Sequence, residues 1–106
     1  MAVVVVTTLT VKPDRMEDYL DQVARPSKAL LEKMGARNCR VLTGVVAGEA
    51  TGSVVFICEA DDFAAVGAVM DKLSADPEGV AMMSIGSSAA GPVAGLQTAF
   101  WVDIPL

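Results

Sequence analysis

Residues 2–11, AVVVVTTLTV, constrain this chain more than any other stretch. Eight of the ten are β-branched, and that stiffness at χ1 favours a pleated backbone over a helix. Side chains alternate along a strand, so Val3, Val5, Thr7, Leu9 and Val11 share one face, with Ala2, Val4, Val6, Thr8 and Thr10 on the other. A strand with one wet face alternates apolar and polar residues, and this one is mostly apolar on both. Some other layer must cover each face.

Composition sharpens the point. A chain of 106 residues makes one small domain, residues 1–106, with a large surface for its volume. Its hydrophobic content is 53% with 5% aromatic, and its mean hydropathy is +0.49; small domains hide such excess in subunit interfaces. A homodimer is therefore expected. The net charge of −5, with eight scattered Lys and Arg residues, offers no basic patch for nucleic acid or an anionic membrane. Apolar runs such as residues 2–6 fall far below the ~20 residues that a membrane-spanning helix needs. A soluble, cytoplasmic protein is expected, with Cys39 and Cys58 reduced. There is no histidine, which removes the usual general base near neutral pH, the usual haem ligand and the commonest metal ligand. No metal, haem or other cofactor is expected.

Along the chain, Lys12-Pro13-Asp14 stops the first strand and opens a helix over residues 14–34. Met16, Leu20, Val23, Ser27, Leu30 and Met34 form its inward stripe, and Gly35 ends it. Pro26 sits inside this pattern and implies either one curved helix or two shorter ones. Strands follow at residues 39–47 and 53–60, joined by the turn 48–52; the second is apolar on both faces except for Glu59 and belongs mid-sheet. Asp61-Asp62 caps a second helix with Phe63, Val66, Met70 and Leu73 as its stripe, running to about Ala75, and residues 76–79 break it. Residues 80–96 read as a short apolar helix followed by a mobile connection. Residues 97–104 read as a fourth, edge strand.

The order β-α-β-β-α-β is the split βαβ plan, an α+β, ferredoxin-like fold with a four-stranded antiparallel sheet. Both helices then cover one face, and Val4, Val6, Val55 and Ile57 on the other need a second sheet. LTVKPDRMEDYL at the first strand-to-helix junction, ICEADDFAAVGAVM at the second, and SADPEG after that helix resemble the dimeric α+β barrel superfamily, in its NIPSNAP-like and antibiotic-biosynthesis-monooxygenase-like members. The resemblance implies two such sheets facing each other in a homodimer. Monooxygenase-like members often carry a histidine in the second helix, at the position of Val69 here, and haem-degrading relatives need a histidine ligand. Haem degradation does not carry over.

No GxGxxG, GxxxxGK[ST], CxxC or HExxH occurs, and GSSAAG at residues 86–91 lacks the lysine of a phosphate loop. Ser84, Ser87 and Ser88 have no histidine to activate them. Glu59, Arg40 and Asp103 are charges within strands and suit ion pairing at a barrel seam. Catalytic residues stay unassigned. Two readings remain: a binding or structural dimer, and a cofactor-free monooxygenase- or isomerase-like enzyme for a flat hydrophobic substrate. A ligand would sit between helices and sheet, where Ala65, Gly67 and Ala68 promise room, and a fully packed interior there would favour the binding or structural dimer. The expected lining is Thr7, Leu9, Tyr19, Val23, Phe56, Cys58, Val66, Met70 and Phe100. Trp101 and Glu59, of opposite parity to Phe100 and Cys58, should face the other way.

Overall fold

The computed structural model describes residues 2–45, 48, 53–84 and 90–106. β1 (Val3–Val11) leads through a turn at Pro13-Asp14 into a helical run made of α1 (Met16–Tyr19), a π-helix (Leu20–Ala24) and α2 (Arg25–Lys33). β2 (Arg37–Thr43), β3 (Val54–Ala60), α3 (Phe63–Ala75), α4 (Pro77–Met83) and β4 (Val93–Val102) follow. The four strands form one antiparallel sheet in the order β2-β3-β1-β4. The two strands that are apolar on both faces lie in the centre.

Three boundaries differ from the sequence reading. The first helix begins at Met16 because Asp14 adopts φ 60°, so Pro13 belongs to the turn rather than to a first helical turn. β2 starts at Arg37, two residues early, and ends at Thr43; residues 46 and 47, the turn 49–52, and Ser87 and Ser88 lie outside the described residues. The fourth strand starts at Val93 and ends at Val102, so residues 93–96 are sheet rather than a connection. Small side chains at Ala94 and Gly95 had hidden it. The segment 76–79 does end α3, but Asp76 then caps α4 by accepting from the Glu78 N–H at 2.8 Å, and Pro77 sits in the first turn, where its missing donor costs nothing.

Pro26 is accommodated without a break. It occupies the first turn of α2, and the turn before it is wound as a π-helix, which opens the spacing where the ring meets the preceding carbonyls. At the far end Gly35 takes φ 110°, the Ala36 N–H donates to the Leu31 carbonyl at 2.9 Å, and Lys72 of α3 donates to the Met34 carbonyl at 3.2 Å. The stripe buries Val23, Ser27, Leu30 and Met34, with Tyr19 the most buried side chain of all at 0% exposure; Met16, expected in the stripe, is exposed at the open first turn.

One core joins Leu9, Tyr19, Val23, Ala24, Cys39, Val54, Phe56, Cys58 and Val93 between helices and sheet. A second, smaller cluster of Leu30, Met34 and Leu73 packs α2 against α3, with Met82 of α4 beside it. Among the described residues no element covers the opposite sheet face. There Val4, Val6 and Val55 are half-buried, and Leu42 and Trp101 are 46% and 61% exposed. Among the described residues no helix is long and apolar enough to cross a membrane.

Candidate functional site

The helix-facing side of the sheet does not close on the helices. A cavity of about 450 Å3 separates them. Parity decides its floor: β1 supplies Val5, Thr7 and Leu9, which oppose Cys58, Phe56 and Val54 on β3 and Phe100, Thr98 and Leu96 on β4. The helical run supplies Tyr19, Val23, Ser27 and Leu31, and α3 supplies Val66, Val69, Met70 and Leu73. Met82 and Met83 of α4 complete the wall.

All nine side chains expected from the sequence line this one cavity. The reason for expecting space needs correction. Ala65, Gly67 and Ala68 are absent from the lining, and Gly67 and Ala68 lie on the exposed side of α3. The room comes instead from the stand-off of α3, whose Val66 and Met70 reach toward the sheet without being fully buried. Val5, Ala60, Leu96 and Thr98 could have been read from the same period-two parity, and Val69 from helical spacing. The α4 methionines could not, because the short apolar helix read there carried no sign of which side it turns to the sheet. Phe100, 53% exposed, packs edge to face against Phe63 at the start of α3, with ring centroids 6.3 Å apart.

Polar atoms in the lining are few. The Thr7 and Thr98 hydroxyls bond each other across β1 and β4 at 3.1 Å. The Tyr19 hydroxyl is buried and has no hydrogen-bond partner among the described residues. Among the described residues Lys and Arg are missing from the lining, and its one charged residue is Glu59. The Glu59 carboxylate is engaged on the open face, where Arg40 approaches it at 3.3 Å and Asn38 donates to it. Asn38 sits at φ 53° in a bulge that sets Arg37 opposite Glu59 and Arg40 opposite Ile57. Trp101 pairs with Val4 on that open face, as parity required. Asp103, expected in a strand, lies beyond the end of β4 and is exposed. Among the described residues no group of three or more His, Cys, Asp or Glu is placed to hold a metal ion.

Cys39 and Cys58 are both free and buried, and the Cys39 thiol donates to the Arg37 carbonyl at 4.0 Å. Burial pushes both thiols up from their ordinary value, Cys58 the further. Burial likewise pushes the Tyr19 hydroxyl from 10 to about 12. An acid that keeps its proton longer in the folded chain than in the unfolded one costs nothing at neutral pH. It destabilises the fold once the unfolded chain begins to ionise. Stability should therefore fall as pH climbs above about 9, and Tyr19 alone removes about 2 to 3 kcal/mol between pH 10 and pH 12. Urea midpoints measured from pH 7 to pH 11 should show this decline, and a flat profile would place these three groups in water.

Comparison with solved structures places this architecture. The chain is similar to a NIPSNAP family protein from Agrobacterium tumefaciens, at 12% identity and a TM-score of 0.72, over 97% of this chain and 86% of that one. It is similar also to an uncharacterised NIPSNAP domain protein from Burkholderia xenovorans, at 19% identity and a TM-score of 0.69, over 96% and 94%. A dimeric ferredoxin-like protein of unknown function from Jannaschia matches at 16% identity and a TM-score of 0.66, over 97% of this chain and 100% of that one. These likenesses show the fold: α+β, ferredoxin-like, shared with NIPSNAP-like proteins. No protein-family model matches the chain, and no curated protein matches it by sequence.

Proposed function

We propose that this NIPSNAP-like fold serves as a homodimeric α+β barrel that binds a small, flat hydrophobic molecule between its helices and its sheet. The cavity carries the reading: about 450 Å3 lined almost entirely by apolar side chains, in a domain small enough that filling it would have stabilised the fold. A purely structural dimer has no use for such a void. Catalysis of the monooxygenase or isomerase kind finds no free base among the described residues, since their only lining carboxylate, Glu59, is tied up by Arg40 and Asn38 on the other face. Binding without metal or haem chemistry is the simpler reading.

The second sheet rests on a separate argument. Leu42 and Trp101 lie exposed beside half-buried Val4, Val6 and Val55, and burying each such side chain contributes about 1.5–3 kcal/mol. The dimeric ferredoxin-like relative supports a second copy of this chain as the cover. A cytoplasmic setting, where both thiols stay reduced, completes the reading. Isothermal calorimetry with fluorene, a flat apolar probe, should show saturable binding of one molecule per chain. Val66→Trp, which projects an indole into the cavity, should abolish that binding. A wild-type protein that takes up no fluorene at its solubility limit would sink the ligand-binding reading.

A further inference from the structure

We infer that the Tyr19 hydroxyl is the orienting donor of the cavity, so that the molecule it takes is a neutral planar hydrophobe bearing one hydrogen-bond-accepting oxygen, a ketone or quinone rather than an acid. The inference rests on the ligand-binding reading and narrows it to a chemical class.

Two observations carry it. Tyr19 is fully buried, lines the cavity, and leaves its hydroxyl without a partner among the described residues. Buried polar groups are nearly always satisfied, and leaving a hydroxyl unpaired in an apolar interior is costly, so an unpaired one on a residue that lines a ligand space marks what the ligand brings. The Thr7 and Thr98 hydroxyls bond each other, which uses one of their two hydrogens. Among the described lining groups it is the Tyr19 hydroxyl that stands buried with no partner. The second observation is electrostatic. Among the described residues the lining contains no Lys or Arg, and the chain carries a net charge of −5, so a carboxylate or phosphate entering this apolar space would be desolvated with no counter-charge. A carbonyl oxygen accepts a hydrogen bond and brings no net charge. Tyr19 itself keeps its proton across the physiological range and so acts as donor.

Three probes with one tricyclic skeleton separate the possibilities: fluorene, which lacks an acceptor, 9-fluorenone, which places a carbonyl on the same frame, and fluorene-9-carboxylate, which adds charge. Calorimetric titration of the wild-type protein should rank fluorenone about tenfold tighter than fluorene, the value of one neutral hydrogen bond, with the carboxylate at least tenfold weaker than fluorene. Tyr19→Phe should erase the preference for fluorenone over fluorene, and leave the melting temperature of the unliganded protein equal or higher. Equal binding of fluorene and fluorenone to the wild-type protein, or a preference that survives Tyr19→Phe, would overturn the role of Tyr19 while the cavity reading stands. A lower melting temperature for unliganded Tyr19→Phe would overturn it too, by showing that the hydroxyl already has a partner. Binding of none of the three would remove both readings together.

Discussion

Gly79→Ala is expected to destabilise the protein by about 3 kcal/mol, or about 12 °C in melting temperature for a domain of this size. A Cβ at residue 79 would lie 2.2 Å from the Leu73 carbonyl oxygen and 2.7 Å from the Leu73 Cα. Both are backbone atoms, so no rotamer change relieves the clash, and α4 must lift away from the end of α3. That movement takes Met82 off the cluster of Leu30, Met34 and Leu73 and opens the cavity wall that Met82 and Met83 form. Gly67→Ala is the matched control. Gly67 lies mid-helix in α3 with nothing within 4 Å of its would-be Cβ, so alanine there should stabilise by up to about 1 kcal/mol through helix propensity. Thermal scans of the two variants check both signs, and a neutral Gly79→Ala would mean that α4 does not seat where the structure puts it.

The second large effect falls on assembly. Trp101→Glu is expected to weaken self-association about a thousandfold while leaving the protomer folded. Trp101 is 61% exposed in the protomer, so its loss removes little from the protomer's own core. In a face-to-face pair of sheets the two copies each lose a large aromatic anchor and gain a desolvated carboxylate; at about 2 kcal/mol or more per copy, the sum reaches about 4 kcal/mol. Sedimentation equilibrium, with circular dichroism to verify folding, reads this directly. A Trp101→Glu protein as dimeric as the wild type would remove the open face as the interface.

How much of this was legible in the sequence follows from the periods involved. A strand's period of two leaves no ambiguity once its centre is known, which is why Thr7, Phe56, Cys58 and Phe100 fall on one face and Val4 and Trp101 on the other. Helix stripes located Val23 and Met70 for the same reason, and the Asp62 cap located the start of α3, its side chain accepting from the Ala65 N–H at 2.7 Å. What was misread shares one cause: the residue's meaning depended on its neighbours in space. Pro77 signals a break in sequence, yet as a first-turn residue after the Asp76 cap it begins α4. Pro26 suggested a bend, and the chain instead inserts a π-turn ahead of it. Gly67 suggested room under the helix, though it faces out, while Gly79, read as part of a breaker, is where two helices touch. Asn38 gave no sign of the bulge that sets Arg37 opposite Glu59. That the Tyr19 hydroxyl is unpaired is a fact about its whole surroundings, and no local pattern encodes it.

A second copy of the chain is expected to cover the open sheet face. Static light scattering behind size exclusion, at micromolar protein and moderate salt, measures this without a probe or a variant. A single species at twice the 11.0 kDa chain mass is expected, undiminished on tenfold dilution. A folded, monodisperse species at 11.0 kDa would contradict it, because Leu42 and Trp101 would then stand in water with nothing to cover them.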